Sequence, residues 1–145
     1  MNRPDDNKKF CFAMIMMVAN KFQTKLDKQT GELTLKQWLL LCMLSNMEEE
    51  HVSLNDLAAV VGYSRQNTKK MVNLLVKKDY VMLEQSGIDK RAYDVKLTLK
   101  SLEFFKDFQK LGDQILENLF ERIEEEKLKA TAQVLEALYE KLETL

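Results

Sequence analysis

The sequence predicts a mainly α-helical chain carrying one small antiparallel β element, and three observations predict it. Only four Gly and one Pro punctuate 145 residues, which favours a few long helices over a many-stranded sandwich. Apolar residues recur at spacings of three and four along most of the chain. Two short runs, 81–84 and 93–99, alternate instead on either side of a polar loop, which is the period of strands. With 46% apolar and 31% charged residues, the chain can bury a core and wholesale disorder is excluded.

From about Asp5 to Lys28 the stripe Cys11, Met14, Ile15, Val18, Phe22 and Leu26 marks a first helix, closed by Gly31. Thr34 and Gln37 have the spacing of a capping box and open a second. Trp38, Leu39, Leu41, Cys42 and Leu44 make that helix apolar nearly all round, as for one in the middle of a core. Ser53 and Asp56 repeat the capping-box spacing, opening a short helix Leu54 to Val61 that stops at Gly62. Ser64 then caps a helix reaching roughly Lys78. Two such helices joined by a Gly-containing turn form a helix-turn-helix. Val81 and Leu83, a polar loop Gln85 to Arg91, and Tyr93, Val95, Leu97 and Leu99 read as a hairpin, giving a winged helix-turn-helix over 33–100 with a two- or three-stranded wing.

From Lys100 helical periodicity returns. Phe104, Phe108, Leu111, Ile115 and Leu119 form a stripe, Leu102, Phe105, Leu116 and Ile123 widen it, and a last helix carries Leu128, Leu135, Leu138 and Leu142. So broad an apolar surface exceeds what one small core covers. The expectation is that 5–30 and 100–145 form a helical dimerisation region, the protein being a homodimer.

The net charge of −1 conceals an asymmetry. Residues 1–63 hold seven basic and eight acidic groups, residues 64–100 nine and four, and residues 101–145 six and eleven. A basic middle beside an acidic end points one face at polyanions while the rest is repelled by them; a solvated surface helix would show the same charge.

Position separates the two. Thr68, Val72 and Leu75, joined by Met71 and Val76, can face inward, while Gln66, Lys69, Lys70, Asn73 and Lys77 recur along the opposite side. Lys and Arg neutralise phosphates, and Gln, Asn, Arg and Lys can pair with purine edges in the major groove. No acidic residue occurs from Arg65 to Lys78. The expected contact set to double-stranded DNA is Ser64, Arg65, Gln66, Asn67, Lys69, Lys70 and Asn73 from the helix 64–78. Lys90 and Arg91 join them from the wing 85–92, where Arg91 can enter a minor groove and Asp89 holds that Arg in place.

Three stretches resemble the multiple-antibiotic-resistance-regulator (MarR) family of bacterial winged-helix transcription factors: LTLKQWLLLCML from Leu33 to Leu44, SLNDLAAVVGYSRQNTKKMVNLLVKKDYV from Ser53 to Val81, and DKRAYDVKLT from Asp89 to Thr98. The last is similar to the family's Asp-x-Arg wing followed by a strand ending in Leu-Thr. The resemblance implies a dimeric transcriptional regulator, a repressor in function, whose first and last helices interlock over a pseudo-palindromic operator and which a small-molecule effector releases. Two departures stand out: Asp79 where many members have Gly after the recognition helix, and Leu99, Lys100 and Ser101 where a charged residue and Gly are usual.

Signal sites are fewer. Met14, Met17, Met43 and Met47 are candidates for an effector pocket because thioethers line adaptable cavities, although core filling uses Met equally well. Cys11, near a helix start where peroxide-sensing members of the family are similar in placing a reactive thiol, is a redox candidate, giving an oxidant-sensing regulator as one alternative; flanking Phe10 and Phe12 favour a buried, inert thiol. Cys42, among leucines, reads as structural. His51 beside Glu48 to Glu50 reads as solvated rather than metal-binding. No cofactor, metal site or enzyme activity is expected, since there is no phosphate-binding glycine loop, nucleophile elbow or His-Glu helix motif. The longest apolar run, Phe10 to Ala19, is about half the roughly 20 residues that span a bilayer, so no membrane partner is expected. Two Cys and no cleavable leader point to the cytoplasm. The other alternative is a winged-helix protein-interaction module that does not bind DNA.

Overall fold

The computed structural model describes residues 6–29, 31–87 and 89–145, in the order α1 (Asn7–Leu26), α2 (Leu35–Asn46), α3 (Leu54–Val61), α4 (Arg65–Lys77), β1 (Val81–Gln85), β2 (Tyr93–Leu97), α5 (Leu99–Phe120) and α6 (Glu125–Glu143). The chain divides into two units, residues 1–103 and 104–145.

In the first unit the capping signals act where the sequence places them. Thr34 accepts from the Gln37 N–H while the Gln37 side chain accepts from the Thr34 N–H, and Ser53 and Asp56 make the same reciprocal pair. Each box satisfies two amides that the first helical turn leaves without partners. The Ser53 hydrogen bonds hold the Asp56 carboxyl below its usual range. The first helix starts at its Asp6 cap and ends at Leu26, before Gly31.

Two helices end in the same way. Gly62 is left-handed at φ 67°, Tyr63 N–H donates to Ala58 O at 3.1 Å and Gly62 N–H to Ala59 O at 3.1 Å. After α4 the left-handed residue is Asp79 at φ 62°, with Tyr80 N–H to Leu75 O at 2.9 Å and Asp79 N–H to Val76 O at 3.0 Å. Both are Schellman motifs. The second completes its apolar contact with Leu75 and Tyr80, each fully buried.

Leu33, Leu40, Leu41, Leu57, Val72, Leu75, Tyr80, Val81 and Val95 form the core of this unit, each no more than 2% exposed. It is drawn from α2, α3, α4, the hairpin and the residues just before α2 and after α4, so α4 is seated on rigid packing. Polar groups bind the end of α4 to its neighbours. The Tyr80 carbonyl accepts from Thr98 N–H at 3.1 Å and from the Ser101 hydroxyl, and Lys100 Nζ donates to Lys78 O at 2.9 Å while lying 4.4 Å from the Tyr80 ring centroid. The Tyr80 hydroxyl donates to Glu32 Oε1 at 3.1 Å; burial, then Glu32, push its pKa up to about 12. Ser101, a departure from the family pattern, thus provides a hydroxyl that Gly could not.

β1 and β2 pair antiparallel, Val81 opposite Leu97 and Gln85 opposite Tyr93. Ser53 adds an isolated bridge to Asp94. The hairpin therefore has two full strands and the start of a third.

The second unit consists of most of α5 together with α6. Phe104 stacks on Phe108 at 5.4 Å. Leu116, Ile123, Val134, Leu135, Tyr139 and Leu142 are 45% or more exposed, so the apolar stripes that the periodicity marks are left open to solvent in a single chain.

Candidate nucleic-acid interface

Helix α4 starts at Ser64, whose side chain accepts from Asn67 N–H at 3.3 Å. Thr68, Val72 and Leu75 are buried along one side, and the Thr68 hydroxyl turns back to Ser64 O at 3.2 Å, as a hydroxyl inside a helix must when no other partner is available. That anchors the rotation of the helix. Ser64, Arg65, Gln66, Asn67, Lys69, Lys70 and Asn73 are then all exposed, with no carboxylate between Arg65 and Lys78 to neutralise the four cations of the helix. Their amides and ammonium groups have hydrogens to offer, and an α-helix is narrow enough to enter a major groove.

Two neighbours differ from the expected pattern. Val76 does not face inward but is 38% exposed, and Leu74 is 47% exposed. Helical spacing puts them on opposite shoulders of the polar stripe, so its edges are apolar. Lys78 is drawn away from the stripe, donating to Glu32 O and, at 3.5 Å, to Gln37 Oε1.

The wing loop is ordered by main-chain contacts. Asp89 Oδ1 accepts from Arg91 N–H at 2.9 Å, Asp89 O accepts from Ala92 N–H at 2.9 Å, and Gln85 Nε2 donates to Lys90 O at 2.7 Å. Asp89 thus holds Arg91 through its backbone, and the Lys90 and Arg91 side chains are exposed. The wing base is tied to the linker before α3: Val95 N–H donates to Val52 O at 2.8 Å, and His51 Nδ1 lies 2.6 Å from Asp94 Oδ2. His51 is therefore not the solvated neighbour of Glu48 to Glu50 that the sequence implies. Antiparallel pairing of 52–53 with β2 brings it against a buried carboxylate 43 residues away. Beside it Lys96 pairs with Glu84, which with smaller help from Asp94 and Glu50 raises the Lys96 ammonium above its usual range.

Sequence reasoning did not single out Lys36, whose Nζ lies 5.8 Å from the centroid of the Tyr63 ring, one residue before the Ser64 cap. A Lys on α2 and an aromatic in the turn carry no local signal of meeting.

The remaining candidates lie on α1 and α2, which pack together. Met14, Met43 and Met47 are half-buried and Met17 is 36% exposed. Cys11 is exposed rather than buried, because α1 has no fully buried residue in the single chain. Cys42 is half-buried, and burial pushes its thiol pKa up to about 11. Among the described residues no cluster of three or more His, Cys, Asp or Glu could hold a metal ion, and no helix is long and apolar enough to cross a membrane.

The two capped helices, the hairpin and the Asp-x-Arg loop occupy one continuous segment, and a family model, that of the MarR family, matches residues 32–92. Residues 32–92 are similar to a MarR-family winged helix. The fold of the family extends over the whole chain. A MarR/EmrR family transcriptional regulator from Acinetobacter sp. ADP1 is similar at 22% identity and TM-score 0.82, covering 97% of this chain and 99% of that one. AbsC, a MarR family transcriptional regulator from Streptomyces coelicolor, is similar at 20% identity and TM-score 0.82, with both chains fully covered. MepR of S. aureus, solved as a DNA complex, is similar at 17% identity and TM-score 0.75, covering 94% of this chain and 99% of that one. No curated protein matches by sequence. Asp79 and Ser101 lie at the two joints that hold the far end of α4.

Proposed function

We propose that the chain is a sequence-specific DNA-binding transcriptional regulator of the MarR type, acting as a homodimer on a pseudo-palindromic operator. The observation that carries this reading is the exposed stripe of α4, cationic and free of carboxylates, seated on a buried core and followed by an ordered loop that presents Lys90 and Arg91. Arg65, Gln66, Lys69, Lys70 and Asn73 enter the major groove, Ser64 and Asn67 meet the backbone at the helix start, and Arg91 with Lys90 reaches the adjacent minor groove. A similar fold solved with DNA supports the reading. The exposed apolar faces of α5 and α6 support a second copy, since contiguous apolar patches of that kind mark association surfaces.

The regulator is a cytoplasmic repressor released by a small molecule, and the methionines at 14, 17, 43 and 47 are the proposed pocket lining. The exposure of Cys11 favours a second reading in which its oxidation is the signal; mass spectrometry after mild peroxide that finds Cys11 unmodified removes it.

The deciding experiment is retardation of the gene's own promoter fragment over a salt series. Counterion release makes log affinity fall linearly with log salt, with a slope of about −0.9 for each phosphate contact. Arg65→Ala, Lys69→Ala and Lys70→Ala together flatten that slope. Salt-independent or absent binding leaves the protein-interaction module as the answer.

A further inference from the structure

We propose that His51 is a positioning residue of the wing, whose hydrogen bond to Asp94 holds the base of the loop bearing Lys90 and Arg91. The inference rests on the DNA-binding reading and deepens it. His51 lies outside the helix-turn-helix and the wing, yet it touches three pieces of the wing's support. Its Nδ1 is 2.6 Å from Asp94 Oδ2 on β2. Its main chain leads directly into Val52 and Ser53, which take the Val95 N–H and bridge Asp94. Its Cε1 edge lies under the wing loop, so close to Gly87 that a Cβ there would stand 3.4 Å away.

The charges around the ring explain why a base is needed there. Asp94 is buried, its side chain 5% exposed, and it stands directly opposite Glu84 on β1. Two carboxylates paired across a hairpin repel each other and favour its opening. A buried carboxylate also needs a donor, because an unpaired one is strongly disfavoured. The groups facing this site are Asp94 and Lys96 from β2, Glu84 from β1, and Glu50 from the linker. Lys96 is engaged with Glu84, which leaves His51 to answer Asp94. A donor at Nδ1 gives the Asp94 carboxylate a charge-assisted hydrogen bond, roughly twice as strong as one between neutral groups.

The test has two arms. In the free protein, amide hydrogen exchange of Ala92 and Val95 is compared at matched pH in wild type, His51→Ala and His51→Asn. Alanine removes the donor and is expected to speed exchange at both amides about tenfold, the loss of one charge-assisted bond. Asparagine places an uncharged N–H where Nδ1 stands and is expected to restore protection near pH 8.

In the DNA arm, His51→Ala weakens operator binding by roughly three- to tenfold in wild type and by nothing further in the Lys90→Ala/Arg91→Ala background, because the residue acts through those two side chains. The proposal is overturned if His51→Ala leaves exchange unchanged, if His51→Asn fails to restore protection, or if the affinity losses simply add. Failure of wild type to bind DNA would remove the regulator reading, while the exchange arm would still decide whether His51 clamps the wing.

Discussion

Helices α3 and α4 end in the same hydrogen-bonded geometry but with different residues at the left-handed position, and this fixes the sign of two mutations. Gly62 sits at φ 67° and Asp79 at φ 62°. A side chain in the left-handed region costs about 1–2 kcal/mol, while glycine gives up about 0.5–1 kcal/mol of unfolded-chain entropy. The difference leaves Asp79→Gly more stable by roughly 0.5–1 kcal/mol. Removing a negative charge from the negative end of the α4 dipole adds about a few tenths of a kcal/mol. The hydrogen bond from the Thr98 hydroxyl to Asp79 O, 2.6 Å long, is to main chain and survives the change. In the opposite direction, a Cβ on Gly62 meets nothing within 4 Å, so Gly62→Ala registers backbone strain alone and loses about 0.5–1 kcal/mol. At this chain length such changes shift the midpoint by about 2–4 °C per kcal/mol. Thermal unfolding by circular dichroism, at one fixed protein concentration because association also stabilises, is expected to show Asp79→Gly higher and Gly62→Ala lower than wild type. If Asp79→Gly fails to raise the midpoint, or both variants move the same way, the account of these two joints is wrong.

Three further outcomes rest on neighbouring residues. Ser64→Ala removes the α4 cap and lowers stability by about 1 kcal/mol, read in urea titration as a lower midpoint with unchanged slope. The raised Tyr80 phenol binds its proton more tightly folded than unfolded, so its contribution is complete below about pH 10 and is lost as pH climbs toward about 12; Tyr80→Phe removes both the highest-titrating phenol in the absorbance titration and that part of the alkaline loss. Cys42, with its thiol pushed up to about 11, resists iodoacetamide at neutral pH until denaturant is added, as peptide mass spectrometry will show; rapid labelling in the native protein would contradict its placement.

Much of the fold is legible in the sequence because its signals are local. The two capping boxes, the Gly62 stop and the switch of period after Lys78 are each written within a few residues and give the elements their order. The exposed stripe of α4 is legible for the same reason, since one helix with Thr68, Val72 and Leu75 inside must turn Gln66, Lys70 and Asn73 outward. Contacts that join distant segments cannot be read in this way. His51 beside three glutamates carries no sign of Asp94, and Lys36 none of Tyr63, because neither partner is set by spacing. Val76 departs from its expected inward position because it lies on the boundary between faces, where periodicity cannot decide. Cys11 is exposed despite its flanking phenylalanines, whose apolar character says what α1 is suited to cover but not whether a single chain supplies that cover.

The tether between the linker and β2 also bears on the order of assembly. Its hydrogen-bonded ends are 43 residues apart, and closing a loop of that length costs several kcal/mol of chain entropy by simple polymer reasoning, whereas the capped helices and the hairpin turn form from neighbours. The tether is thus among the last links to form and the first surrendered under heat or denaturant. A partly stressed molecule therefore keeps α4 on the core while the hairpin comes loose from the linker, before the body of the protein melts.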